Sequence, residues 1–220
     1  MEQLIKAKQI VMAGIKSLVD KHLTNGSWGN ISTRVNDQYI AITPSGTMYD
    51  QMTTDMVVIS NMESEVLGEG IPSSELPMHL AIYKAYPEVQ AIVHTHSPHS
   101  SAISALRRDI PPIMDDQVSI LGGDVRCAKY AMSGSAQLGD NTVIALKDRN
   151  ACLWANHGAV CVGRSMDEAF MCAEILEKTA QIYLLASPLG KPVEVDKEAQ
   201  KHLRDFYINK YSKRQQGLKE

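Results

Sequence analysis

The chain has 220 residues, of which 44% are hydrophobic and 21% are charged, and its formal net charge is −3. This length and composition are typical of a globular domain with a sizeable core, and the lack of a basic excess argues against nucleic acid as a partner. No apolar run approaches membrane-spanning length, and the opening MEQLIKAKQI does not have the pattern of a signal peptide. We therefore expect a cytoplasmic protein with no membrane partner. Its four cysteines show no CxxC spacing, and we expect them to be reduced thiols.

The first part of the chain is predicted to form a helix followed by short strands. Apolar residues at three- and four-residue steps predict an amphipathic helix over residues 2–23. The glycine-containing segment TNGSWGN ends that pattern, and the β-branched runs ISTRV and YIAITPSG predict a hairpin. MVVIS predicts another strand. In IPSSELPMHLAIYKAYP we expect a helix that is capped by Ser73 or Ser74 and has Pro77 in its first turn.

The remainder of the chain continues the alternation of strands and helices. VQAIVHTH predicts a strand, SSAISAL a helix, and ACLWANHGAVCVG two strands joined by a turn. Ser165 and Glu168 form a capping-box pattern at the start of a long helix over residues 166–186. Helices and strands interleave from end to end, with no internal repeat or linker. We therefore expect residues 1–220 to form a single α/β domain.

Three histidines stand at the ends of predicted strands. In AIVHTHSPHS, His94 and His96 are two residues apart and would lie on the same side of a strand. That spacing suits two ligands of one divalent ion, and two hydrogen-bonded histidines at a polar strand end are the alternative. His157 in WANHGAV follows an apolar strand, where ligand sites of α/β folds tend to gather. Together the three would leave an open position on a tetrahedral ion, as in catalytic zinc sites. For His79 we expect no functional role, and for His99 a solvated side chain.

Glu75 is the carboxylate that best fits such a centre. It follows two serines in the segment PSSE, at the predicted start of a helix. The hydroxyls of Ser73 and Ser74, with the free N–H groups of a helix N-terminus, would form an anion site. The acid beside them could then take a proton from a phosphorylated substrate. A simple helix cap is the alternative interpretation of the same residues.

Five motifs together resemble one known family. GNIS, ITPSG, PSSE, VHTHS and NHG occur in the order and approximate spacing of the class II aldolase/adducin family, and the resemblance covers residues 1–212. It is closest to the members that act on short sugar 1-phosphates. The resemblance implies a three-layer α/β/α domain with a largely antiparallel central sheet, assembled as a homotetramer with active sites at subunit boundaries. The chain has no GxGxxG between a strand and a helix, which argues against a nicotinamide-dependent dehydrogenase.

The resemblance also implies the cofactor, the site residues and the reaction. Zn2+ would be held by His94, His96 and His157, with Glu75 as a fourth ligand that leaves the metal when substrate binds and then acts as general base. Mn2+ or Co2+ would suit the same ligands. The implied reaction is cleavage of a ketose 1-phosphate, such as L-fuculose 1-phosphate or 5-deoxyribulose 1-phosphate, to dihydroxyacetone phosphate and an aldehyde through an enediolate. The substrate phosphate would lie among Asn30, Ser45, Gly46, Ser73 and Ser74.

A second acid is needed at the aldehyde oxygen. In the family it comes from tyrosines, one of them near the C-terminus of a neighbouring subunit, which indicates Tyr211 or Tyr207 here. The other family tyrosine, after the histidine pair, is missing, and the segment MDDQ places Asp115 and Asp116 there instead. Asp116 with a raised pKa could donate the proton, and a solvated turn is the alternative.

Other members of the family define the competing functions. L-Ribulose-5-phosphate 4-epimerase uses an aspartate as acid, which keeps this activity open, although it typically has aspartate where this chain has Glu75. Dehydratases and decarboxylases of sugar phosphates share the fold. A non-enzymatic adducin-like module is a further alternative, and such a module would not need metal ligands.

Overall fold

The computed structural model of the protein describes residues 1–215. Its centre is one sheet of eight strands, which are β1 (Asn30–Arg34), β2 (Tyr39–Ile42), β3 (Val58–Asn61), β4 (Val66–Leu67), β5 (Ala91–Thr95), β6 (Arg126–Ala128), β7 (Ala151–Trp154) and β8 (Gly158–Gly163).

Seven α-helices occur in this described range: α1 (Glu2–Asp20), α2 (Leu76–Ala85), α3 (Pro98–Ala105), α4 (Ala136–Leu146), α5 (Met166–Ala186), α6 (Lys197–Phe206) and α7 (Ser212–Gln215). The predicted long helix has the predicted bounds, and the Ser165 hydroxyl accepts a hydrogen bond from the backbone N–H of Glu168 at 3.2 Å. The first helix ends three residues before its predicted end. No helix within residues 1–215 combines the length and the apolarity that a membrane crossing requires.

The order of strands across the sheet is β4-β3-β2-β1-β5-β8-β7-β6. All neighbouring strands are antiparallel except β6 and β7, which are parallel. β5 therefore lies between β1 and β8, which are distant from each other in sequence. In this register Asn30 of β1 lies opposite His94, and His94 lies opposite Val160 of β8.

Two hydrophobic cores cover the two faces of the sheet. Ala91 and Val93 of β5 belong to the core that includes buried residues of α1, α3 and α5, whereas Ile92 belongs to the core with residues of α2 and α4. This alternation is what a strand buried on both faces requires. The result is three layers, α/β/α, around a largely antiparallel sheet, and the predicted fold class is confirmed. The four free cysteines are small, at least partly buried residues: Cys127, Cys152, Cys161 and Cys172.

The start of α2 differs from the prediction. Neither Ser73 nor Ser74 caps the helix, because the residue at the cap is Glu75, whose side chain makes no capping hydrogen bond. Ser73 Oγ accepts a hydrogen bond from the backbone N–H of Glu75 at 3.3 Å. The backbone N–H of Ser73 donates to the carbonyl of Thr43 at 3.0 Å. This pairing holds the serine segment against the loop after β2, so the helix begins only after Glu75.

Candidate metal centre and substrate cavities

Three histidine rings meet at one end of the central strands β5 and β8. Nε2 of His94 lies 2.9 Å from Nε2 of His96, and the ligand nitrogens of these two residues and of His157 all lie within 4.8 Å of one another. His94 is in β5 and His96 follows its last residue, so the two side chains lie on the same side of the strand. His157 comes from the turn between β7 and β8. The structure thus brings the HTH and NHG segments together.

A close backbone approach places His157. Asn156 adopts a left-handed conformation (φ 56°) in the turn. Gly158 follows His157, and a Cβ atom on Gly158 would lie only 2.3 Å from the carbonyl oxygen of Thr95. Glycine is therefore required for β8 to begin this close to the end of β5. That pairing fixes His157 beside the other two histidines.

The ring of His94 is held in one orientation. Its Nδ1 lies 2.8 Å from the carbonyl oxygen of Ala159, so Nδ1–H donates and Nε2 faces the other histidines. The fully buried ring of Trp154 stacks on it, with centroids 4.3 Å apart and an interplanar angle of 29°. The orientation of the His94 ring is therefore fixed by contacts within the protein.

The other two rings are neutral at neutral pH. Burial, together with the nearby His94 and His157, lowers the pKa of His96 to about 3 although Glu75 opposes the shift. Burial and His94 likewise lower the pKa of His157 to about 4. Neutral imidazole is the form that binds metals. Three imidazole nitrogens converge here, and the other ring nitrogen of His94 is hydrogen-bonded to a backbone carbonyl. This arrangement fits a divalent ion.

Glu75 lies beside the three histidines and is only 3% exposed. Its two carboxylate oxygens lie 3.2 Å from Nε2 of His94 and 3.3 Å from Nε2 of His157. The Asn30 amide and the Ser133 hydroxyl each donate to one of these oxygens at 2.8 Å. Burial raises the pKa of Glu75, but His94, Asn30, His157 and Ser133 together lower it to about 2. The group is therefore an ionised carboxylate within reach of the cluster.

A cavity of about 190 Å³ opens beside Glu75. The loops after β2 and before α2 meet at this cavity, because Ser45 N–H donates to the carbonyl of Ile71 at 2.9 Å and Ser73 N–H donates to Thr43. Among the described residues that line the cavity none is lysine or arginine, so hydroxyl and amide groups are the donors available to an anion. The lining includes every residue predicted to bind phosphate: Asn30, Ser45, Gly46, Ser73 and Ser74.

A second, larger cavity of about 520 Å³ shares His96, His157, Trp28 and Ser133 with the first. Trp28 is 66% exposed, and its ring centroid lies 5.7 Å from that of His96. Tyr130, which is also largely exposed, forms another wall together with Ala131. The histidine cluster therefore stands between a polar cavity and one with aromatic walls.

The structure does not bring Tyr211 to the histidines of its own chain. The hydroxyl of Tyr207 donates to Glu168 at 3.1 Å, and Glu168 lies just after the end of β8 that is remote from His157. The Tyr211 ring is close to Tyr207, with the two ring centroids 6.3 Å apart. β8 has six residues. At about 3.3–3.4 Å per residue, its two ends, one near His157 and one near Glu168, are about 17 Å apart. Tyr207 is buried and bound to Glu168, whereas Tyr211 is 45% exposed. Of the two tyrosines, Tyr211 is therefore the one whose side chain is accessible from outside the chain.

Asp116 also lies outside the cluster within one chain. Its carboxylate accepts a hydrogen bond from the backbone N–H of Gln117 at 3.0 Å and caps the π-helical turn Gln117–Leu121. The other carboxylate oxygen is paired with Lys178 of α5. These contacts assign Asp116 a local structural role, and Asp115 stands next to it in the same segment.

Three polar residues make contacts that we did not predict from the sequence. Ser133, in the loop before α4, donates to Glu75. His79 is fully buried, and its Nε2 lies 2.5 Å from Oδ1 of Asn30. His79 follows Glu75 by four residues on a helix, and this same-face spacing is a signal that could have found it. His99, expected to be solvated, has a side chain that is 38% exposed and also pairs with Glu177 at 2.7 Å. The same carboxylate accepts from the backbone N–H of His99 at the start of α3.

Comparison with known proteins places the chain in a family. The profile of the family described as Class II Aldolase and Adducin N-terminal domain matches residues 9–184. A 5-deoxy-D-ribulose 1-phosphate aldolase of Bacillus thuringiensis serovar kurstaki is 39% identical over 191 residues, which cover 86% of this chain and 89% of the relative. An L-fuculose phosphate aldolase of Escherichia coli is 33% identical over 195 residues, covering 89% and 90%. A solved structure of L-fuculose 1-phosphate aldolase superposes with a TM-score of 0.89 at 33% identity, over 92% of this chain and 96% of that one. The protein therefore belongs to the class II aldolase and adducin family.

Proposed function

We propose that the protein is a metal-dependent aldolase that cleaves a ketose 1-phosphate to dihydroxyacetone phosphate and an aldehyde. One observation carries the proposal, namely the position of the histidine cluster between two unlike cavities. The first cavity offers hydroxyl and amide donors for a phosphate, and the second has aromatic walls that suit a short carbon chain. The names of the relatives, a 5-deoxy-D-ribulose 1-phosphate aldolase and an L-fuculose phosphate aldolase, support it.

The ion would be held by His94, His96 and His157, with Glu75 as a fourth ligand before substrate binds. Zn2+ is the first choice for this ligand set, and Mn2+ or Co2+ would also fit it. When bound, the ion would act as a Lewis acid toward the negative charge that develops on the carbonyl and hydroxyl oxygens of the substrate.

Glu75 is the residue proposed to move the proton. In condensation it would remove a proton from the carbon next to the carbonyl of dihydroxyacetone phosphate, and in cleavage it would return that proton. The lowered pKa keeps the carboxylate ionised, which is the form that a general base must have. Asn30 and Ser133 each donate to one of its oxygens at 2.8 Å and so fix the plane of the carboxylate.

The polar cavity would bind the phosphate group. Ser45, Gly46, Ser73 and Ser74 come from two loops whose backbones are hydrogen-bonded to each other, and Asn30 stands at the start of β1. A phosphate fixed there would hold the reacting carbon toward the carboxylate, which is the positioning contribution to the rate.

The lining of the second cavity favours an aldehyde product that is short and carries no phosphate group. Its described lining contains Trp28, Tyr130 and Ala131 and no lysine or arginine. Arg107 approaches the rim, but its Nε donates to the Asn156 amide oxygen at 2.7 Å and its guanidinium stacks on Tyr130. We therefore propose 5-deoxyribulose 1-phosphate as the first substrate to examine and L-fuculose 1-phosphate as the second.

The second acid is proposed to come from another subunit. Tyr211 is exposed, and it lies at the end of β8 remote from the histidines of its own chain. A homotetramer in which the C-terminal segment of one subunit reaches the site of the next would supply Tyr211 there. Asp116 is the alternative donor, and it would have to exchange its contact with Lys178 for one across the same boundary.

A cleavage assay tests the proposed function. Metal-loaded protein is incubated with each of the two ketose 1-phosphates, and dihydroxyacetone phosphate is measured with a coupled dehydrogenase. L-Ribulose 5-phosphate is followed in parallel by NMR. We expect release of dihydroxyacetone phosphate that stops on addition of a chelator and returns with added metal. Epimerisation of the 5-phosphate, or loss of water or carbon dioxide without carbon–carbon cleavage, would overturn the aldolase proposal in favour of another activity of the fold.

A further inference from the structure

His79 is a completely buried histidine that the proposed reaction does not use. It lies on α2, one helical turn after Glu75, and is 0% exposed. Burial lowers its pKa to about 3 even though Glu75 opposes the shift, so the ring is neutral. A neutral imidazole has one donor nitrogen and one acceptor nitrogen. Each of its nitrogens has a hydrogen-bond partner: Asn30 on one side and Ser32 on the other.

The direction of every hydrogen bond around His79 follows from the orientation of the Asn30 amide. The amide nitrogen of Asn30 faces Glu75 and donates to its carboxylate at 2.8 Å. Oδ1 of Asn30 then faces Nε2 of His79 at 2.5 Å, and this nitrogen must carry the proton. Nδ1 of His79 therefore accepts from the Ser32 hydroxyl at 2.7 Å. The Ser32 oxygen in turn accepts from the hydroxyl of Tyr83 at 2.9 Å.

The same orientation leaves one N–H of the Asn30 amide for a ligand in the polar cavity that this residue lines. An asparagine amide nitrogen has two N–H groups, and one is bound to Glu75. Within residues 1–215 no protein acceptor takes the second, and Asn30 lines the polar cavity beside Ser73 and Ser74. If the amide were reversed, its oxygen would lie 2.8 Å from a carboxylate oxygen, and two acceptors would meet. The His79 N–H is the donor that keeps the amide oxygen away from both the carboxylate and the cavity.

We infer that His79 is a positioning residue that holds the Asn30 amide so that one N–H orients Glu75 and the other is presented to the substrate phosphate. The kinetic part of this inference rests on the proposed function, but the arrangement itself does not. His79 contacts neither the substrate cavity nor the three histidines. Its effect on the reaction passes through Asn30, which couples phosphate binding to the orientation of the proposed base.

The test compares two replacements of His79 in metal-loaded protein. His79→Leu removes the donor, whereas His79→Gln offers a side-chain N–H in its place. The exposed His202→Leu is the matched control. We expect His79→Leu to weaken binding of inorganic phosphate and to lower kcat, each by about 10- to 100-fold, as loss of an outer-shell partner typically does. We expect His79→Gln to recover most of both and the control to change neither. Phosphate affinity and kcat unchanged in His79→Leu, or no recovery in His79→Gln, would overturn the inference.

A spectroscopic measurement on the unmodified protein separates this inference from the proposed activity. Long-range 1H–15N correlation spectra of histidine-labelled protein distinguish the two neutral tautomers. The signal assigned to His79, identified by its absence in His79→Gln, should be that of the Nε2–H tautomer. The Nδ1–H tautomer or a charged ring would overturn the assignment whether or not the protein cleaves any sugar phosphate. The Nε2–H tautomer in a protein without aldolase activity would support the arrangement and refute only the proposed function.

Discussion

Replacement of Glu75 by glutamine changes one atom at the centre of the proposed mechanism. The side-chain volume is almost unchanged, but one carboxylate oxygen becomes an NH2 group and the charge is lost. Two donors, Asn30 and Ser133, currently approach the two oxygens at 2.8 Å each. A glutamine oxygen can still accept from Asn30, and its NH2 group would then donate to the Ser133 hydroxyl, which changes from donor to acceptor. We expect the replacement of two hydrogen bonds to a charged group by neutral ones to lower the free energy of unfolding by about 1–3 kcal/mol.

The loss of activity should be much larger than the loss of stability. A positioned general base contributes about 10²- to 10⁴-fold to a rate, which corresponds to roughly 3–5 kcal/mol of transition-state free energy. We therefore expect kcat for cleavage to fall by that factor in Glu75→Gln. The metal content should stay largely intact, because three imidazoles remain. Steady-state kinetics, elemental analysis and urea unfolding measure the three quantities separately.

The matched control is Glu63→Gln, the same chemical change on an exposed side chain. It should leave kcat, metal content and stability unchanged. Glu75→Gln protein that is folded, contains metal and retains full activity would refute the assignment of Glu75 as the base.

Three further variants test other parts of the site. His96→Ala should lose bound metal and activity together after dialysis, since one of three imidazole ligands is removed, and unchanged metal content would rule out this ligand. Gly158→Ala should lower the free energy of unfolding by about 1–3 kcal/mol in urea titrations, because the added Cβ would meet a backbone oxygen of β5 at 2.3 Å. Tyr211→Phe and Glu75→Gln should each be nearly inactive alone. If the protein forms the proposed tetramer and each site combines two subunits, mixed and reassembled oligomers should regain activity in about one quarter of their sites. No recovery in mixed oligomers would place the second acid elsewhere.

Local periodicity was sufficient to predict part of the site. Alternation along a strand predicts that His94 and His96 share one side, and the structure gives that arrangement. Likewise, the capping pattern of Ser165 and Glu168 predicts the start of α5 at the observed residue. These features depend on residues a few positions apart, and a sequence displays such relations directly.

Other contacts depend on the order of strands, which local patterns do not contain. β5 pairs with β1 and β8 rather than with the strand that precedes it in the chain, and this pairing sets Asn30 beside His94. Ser133 reaches Glu75 from a loop 58 residues away. The helix cap predicted at Ser73 or Ser74 is wrong for a related reason. The serine segment pairs with a distant loop instead of with the helix that follows it.

Proton exchange of dihydroxyacetone phosphate in D2O, followed by NMR, tests the central claim most directly, because it isolates the proton-transfer step from the choice of aldehyde. We predict stereospecific loss of one proton from the hydroxymethyl carbon, at a rate that falls on chelation and recovers with added metal. The same exchange should be lost in Glu75→Gln. Absence of exchange from protein that contains metal would contradict an aldolase acting on ketose 1-phosphates.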